Sequence, residues 1–93
     1  MADPVADYAI TQHALLEMRR RGLSEELVQQ VLRSPEQRIE LRPGRVVLQS
    51  RIFMGEPAKR YLLRVFLDVD RRPAQVVTVY RTSKILKYWR EQP

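Results

Sequence analysis

A chain of 93 residues can hold one small core but not two, because domains usually run to about 100–200 residues, so residues 1–93 read as a single domain. The absence of cysteine excludes disulfides, iron–sulfur clusters, thiolate zinc and a cysteine nucleophile, and no apolar run approaches the ~18 residues of a membrane span. Net charge is +6, but residues 1–36 carry four basic and six acidic side chains (−2) against thirteen and five in residues 37–93 (+8), a balance that suits phosphates or acidic proteins as partners.

The N-terminal MADPVADYAI lacks the basic start and apolar stretch of a signal peptide, so a cytoplasmic protein with no membrane partner is expected. Tyr8-Ala9-Ile10 suggests a short lead-in or edge strand. Thr11 is suited to N-cap a first helix over about 12–21, and Gly22 to end it after the basic run Arg19–Arg21. Ser24 caps a second helix with Glu25 and Glu26 in its first turn, a stripe of Leu27, Val28, Val31 and Leu32, and Pro35 as its stop.

From residue 37 the period changes to that of strands. Candidates are Arg38–Leu41, closed by Pro43-Gly44; Val46–Met54, closed by Gly55-Glu56-Pro57; Arg60–Val69; and, after the turn Asp70–Pro73, Ala74–Arg81. In the third, Tyr61, Leu63, Val65, Leu67 and Val69 make an apolar face against Leu62, Arg64, Phe66 and Asp68. In the fourth, Val77 and Val79 oppose Val76, Thr78 and Tyr80. Thr82 or Ser83 caps a C-terminal helix that turns Ile85, Leu86 and Trp89 inward. The expected architecture is α+β: two N-terminal helices packed on an antiparallel sheet of three to four strands, with a C-terminal helix. Arg64, Tyr80, Thr78 and Asp68 would line the sheet face left open.

Three scattered glycines make no phosphate loop and one histidine builds no His-based metal site, so neither metal nor cofactor is expected. The remaining inventory of cations, one imidazole and phenols suits metal-free RNA cleavage, in which the 2′-hydroxyl supplies the nucleophile and the protein supplies a base, an acid and phosphate-stabilising cations. His13, Glu17 and Arg21 fall on one helical strip. They could act together on a phosphate, with Glu17 holding the imidazole; the same spacing also describes an ordinary helix-surface contact. Lys84, Lys87 and Tyr88 form a basic and aromatic face that could grip a nucleic-acid backbone and stack a base, or remain a solvated face behind a buried Trp89.

Tyr8-x-Ile10-Thr11-x-His13-Ala14-x-x-x-Met18-x-x-Arg21-Gly22-Leu23-Ser24, followed by Val76-Val77-Thr78-Val79-Tyr80, resembles a small bacterial family of unassigned function grouped with the RelE/ParE-like toxin fold and its metal-independent ribonuclease relatives. The likeness spans about residues 8–90. It implies a curved sheet behind two helices and a role in toxin–antitoxin systems, with RNA as substrate and an acidic antitoxin-like protein as partner. On that basis His13 is the expected general base or acid, Arg21 and Lys84 the phosphate stabilisers and Tyr80 a further proton donor. Arg64, Arg81 and Lys87 are the expected backbone grips, with Tyr88 stacking on a base. Glu17 departs from the pattern, which has Arg there. It sets an anion on the strip that should face substrate, while also able to fix the His13 tautomer. A non-catalytic module of the same fold, binding nucleic acid or an acidic protein, is the alternative that this anion favours.

Overall fold

The computed structural model describes residues 2–91. In chain order its elements are β1 (Tyr8–Ile10), α1 (Gln12–Arg20), α2 (Glu25–Arg33), β2 (Gln37–Arg42), β3 (Arg45–Met54), β4 (Lys59–Asp68), β5 (Ala74–Thr82) and α3 (Ile85–Tyr88). Local chemistry sets the helix ends. The Ala14 N–H donates to Thr11 Oγ1 at 3.1 Å and the Leu27 N–H to Ser24 Oγ at 3.1 Å, so each helix has one of its orphan donors satisfied by a hydroxyl cap. Gly22, at φ +67°, closes α1 with paired bonds from Leu23 N–H to Met18 O and from Gly22 N–H to Arg19 O. This left-handed ending brings Leu23 back onto Met18, and both side chains are buried.

The five strands lie in the order β1-β5-β4-β3-β2. All neighbours are antiparallel except β1, which pairs parallel to β5 with Tyr8 opposite Ala74. The expected antiparallel sheet of three to four strands is therefore corrected to a mixed sheet of five. The added strand has three residues and a partner more than sixty positions away, a pairing that no hairpin turn announces. Ala14 and Met18 of α1, and Val28, Val31 and Leu32 of α2, pack on one sheet face against Val46, Leu48, Leu63, Val65 and Val79. Val47 and Leu62 are equally buried but point to the opposite face.

Two further expectations change. In β5 the register passes from Leu67↔Val76 to Phe66↔Thr78, so Val77 is an extra residue, a β-bulge. Val76 consequently joins Val79 in the core instead of sharing a face with Thr78 and Tyr80. The C-terminal helix is a single turn without a side-chain cap, since the Thr82 hydroxyl accepts from Lys84 N–H, and the chain is extended again at Trp89. Leu86, expected inward, is 85% exposed. Bonds from the sheet glutamines to residues 88–90, and the stacking of Tyr88 and Trp89 on sheet arginines, draw the segment out of helical geometry.

Met18 is 1% exposed and Leu16, on the same helix, 56%. Met18→Ala is expected to lower unfolding free energy by about 2–4 kcal/mol and Leu16→Ala by under about 0.5 kcal/mol, as read by urea denaturation.

Candidate functional site

β1 covers only the Ala74–Val76 stretch of β5, and α1 takes over along the rest of that edge. The Thr11 N–H donates to Val76 O at 3.1 Å, and Arg21 Nη1 donates to Val79 O at 2.7 Å. Edge carbonyls that would otherwise invite another strand are thus satisfied from the helix. Glu17 ties the same junction together. Its Oε1 accepts from Thr78 Oγ1 at 2.6 Å, its Oε2 lies 3.2 Å from Arg21 Nη2, and His13 Nε2 stands 3.5 Å from Oε1. The strip His13–Glu17–Arg21 exists as the periodicity required, and Glu17 is its least exposed member.

On the sheet face away from the main helices, four strands contribute a row of polar side chains. Arg64 Nε donates to Gln49 Oε1 at 2.8 Å and Arg64 Nη1 to Tyr80 Oη at 2.7 Å; Gln49 Nε2 donates to Gln37 Oε1 at 2.7 Å. The C-terminal segment lies over this row. Gln49 Nε2 also donates to Tyr88 O, while Gln37 exchanges bonds with the Arg90 carbonyl and N–H. Tyr88 stacks on Arg64, with 4.3 Å from guanidinium carbon to ring centre, and Trp89 on Arg51, at 4.2 Å. Arg51 is itself held by a bidentate pair with Glu36.

Tyr80 belongs to both regions. It lines an open cleft of about 520 Å³ together with Arg20, Arg21 and Arg81. Its phenol oxygen already accepts from Arg64, so its own hydrogen is available to donate, and among the described residues no acceptor takes it. Arg81 is steadied by contacts with Met54 Sδ and the Tyr61 ring. Arg20, Arg21 and Arg81 give this sheet edge a local excess of positive charge that suits an anion, and a phosphate in particular.

Of the residues expected at a site, the cleft gathers Arg21, Tyr80 and Arg81. His13 is two turns back along α1, roughly 12 Å at 1.5 Å per residue, and does not line the cleft. Arg64 is 8% exposed and its bonds run to Gln49 and Tyr80. Tyr88 covers Arg64, and Lys84 and Lys87 are exposed on and beside the C-terminal turn, outside the cleft lining. Three contributors were not singled out from sequence. Arg20 read only as part of a basic helix end, Gln37 lies just outside the strand expected at Arg38–Leu41, and Gln49 lies in the strand expected at Val46–Met54, where no facing was assigned to it.

The Glu17 carboxyl is held below its ordinary value, first by the Thr78 hydroxyl and then by the charges of Arg21, His13 and Arg20, with desolvation opposing. Glu36 and Asp68 are lowered likewise, chiefly by hydrogen bonds from Arg51 and Arg45.

Fold and cleft together define a small mixed-sheet α+β domain with a cationic cleft at one sheet edge. The chain belongs to a family described as a domain of unknown function, DUF4258, whose model matches residues 10–81. No curated protein and no solved structure matches the chain. Among the described residues no helix is long and apolar enough to cross a membrane.

The lowered carboxylates set the acid behaviour. A folded-state value below 4.5 for Glu17 means that the unfolded chain binds more protons around that pH. The associated stability is present above about pH 4.5 and is lost as pH falls through the folded value. Glu17→Gln is expected to flatten the acid limb of stability against pH, leaving the share of Glu36 and Asp68. Urea midpoints between about pH 3 and 7 measure it, and an unchanged acid limb would refute the role given to Glu17.

Proposed function

We propose that this chain is an RNA-directed domain that binds phosphodiesters in the cleft of Arg20, Arg21, Arg81 and Tyr80, as the resemblance to RelE/ParE-like toxins implies for its role. The observation that carries this reading is the gathering of three arginines and a tyrosine around one open cleft at the edge of β5. Glu17, an anion where the resembled pattern has a cation, is compatible with it. The carboxylate is already occupied by Thr78 and Arg21, and it fixes the Arg21 guanidinium at the mouth of the site instead of standing free to repel a phosphate.

A second reading, metal-independent RNA cleavage, is favoured by one specific feature. The Tyr80 hydroxyl accepts from Arg64 and, among the described residues, has no acceptor for its own hydrogen, which suits a donor to the departing 5′-oxygen while the arginines take up charge growing on the phosphate. In this reading His13, whose Nε2 faces Glu17, would take the 2′-hydroxyl proton. That hydroxyl and the 5′-oxygen flank one phosphorus, so cleavage requires α1 and the cleft to close on a single phosphate; binding does not. An acidic antitoxin-like partner would compete for the same arginines.

The two readings separate with purified protein in EDTA and a short single-stranded RNA. Arg20→Gln and Arg81→Gln are each expected to weaken binding and to lower the slope of log K against log salt by about 0.7, the value for one phosphate contact on a single strand. An unchanged slope would place RNA elsewhere. Cleavage that is lost in both His13→Ala and Tyr80→Phe, with binding retained in His13→Ala, supports the enzyme; absence of cleavage alongside tight binding supports the binding module.

A further inference from the structure

The polar row beneath the C-terminal segment has a direction. Arg64 carries only donors, so Gln49 must offer it the carbonyl oxygen and turn its amide hydrogens outward, to Gln37 Oε1 and Tyr88 O. Gln37 is oriented in turn: its oxygen accepts from Gln49 and from Arg90 N–H, and its amide nitrogen donates to Arg90 O at 2.6 Å. Reversing either amide would set donor against donor in a region where Gln37, Gln49 and Arg64 are all under a tenth exposed. At the other end of the row, Arg64 Nη1 fixes the oxygen of Tyr80. Tyr88 also packs edge-on against the Tyr80 ring.

We propose that residues 88–90 form a strap that positions the Tyr80 hydroxyl, with Gln37, Gln49 and Arg64 as positioning residues. While the strap is docked, Arg64 is held against the phenol oxygen of a residue that lines the cleft, and among the described residues the phenolic hydrogen has no protein acceptor. Undocking removes the Tyr88 and Arg90 partners of both glutamines, slackens the row, and deprives a bound phosphate of one oriented donor. The inference rests on reading the cleft as a phosphate site.

Trp89 gives a test remote from the cleft, because its ring anchors the strap on Arg51 of β3, two strands from Tyr80 on β5. In the full chain, Trp89→Ala is expected to weaken binding of a short single-stranded RNA about three- to tenfold and to have no further effect once Tyr80 is Phe, the non-additivity expected of coupled residues. Equal losses in both backgrounds would overturn the proposal. The coupling has a second readout that needs no ligand: in protein labelled at tyrosine, Trp89→Ala is expected to shift the Tyr80 ring signals, as is Gln37→Met should the tryptophan variant fail to fold. Tyr80 signals unmoved by strap variants also overturn it. If Arg20→Gln and Arg81→Gln leave RNA binding intact while the Tyr80 signals still move, the phosphate reading fails and the strap stands.

Discussion

A guanidinium group buried in the middle of a β-sheet is the constraint around which the second face of this domain is organised. Removing a cation from water is costly unless hydrogen bonds and favourable electrostatics replace its hydration. Among the described residues no carboxylate pairs with Arg64. Its replacement shell is a glutamine carbonyl, a phenol oxygen and the faces of nearby rings, of which Tyr88 at 4.3 Å is nearest. The shell is drawn from β3, β5 and the C-terminal segment, so satisfying one side chain requires three parts of the chain to be in register. Among the described residues, every buried side-chain nitrogen and oxygen finds a partner. The opposite face follows simpler rules, with two amphipathic helices burying aliphatic side chains on alternate strand positions.

The same economy of partners explains the edge beside α1. Glu17 would be an oddity on a cationic strip if it faced solvent alone. Bonded to Thr78 and paired with Arg21, it instead fastens the helix to the one stretch of β5 that β1 does not cover, and Arg21 completes the fastening at the Val79 carbonyl. The groups that hold the edge closed are thereby the ones that shape the neighbouring cleft.

Much of the local structure was legible from residues because local interactions dictate it. Thr11, Ser24 and Gly22 mark helix ends through bonds spanning three to five residues, and the alternation from Tyr61 to Val69 describes a strand whose two faces differ. What was illegible depends on distant partners. Nothing in Tyr8-Ala9-Ile10 names β5 as its neighbour. The extra residue at Val77 reverses the facing of Val76, and no glycine or proline flags it. At the C-terminus, helical spacing grouped Lys84, Lys87 and Tyr88, whereas stacking on Arg64 and Arg51 straightens the chain after one turn and faces Tyr88 inward. His13, Glu17 and Arg21 did fall on one strip as their spacing required. The cleft did not emerge from sequence, because Arg20 and Tyr80 meet only when α1 lies along the edge of β5.

The parallel pairing of β1 with β5 has a consequence for how the domain comes into being. Strands β2 to β5 connect by short turns and can associate as they appear, but Tyr8 must wait for Ala74, and the Arg64 shell must wait for Tyr88. A ribosome making this chain would have released the N-terminal strand and both main helices well before their last partners emerged. Long-range closures of this kind come late in folding and lengthen the exposure of unpaired strand edges. Completion of the sheet edge and of the buried polar row therefore waits for residues 74–90 to become available, and the cleft, which depends on both, is among the last features of the domain to form.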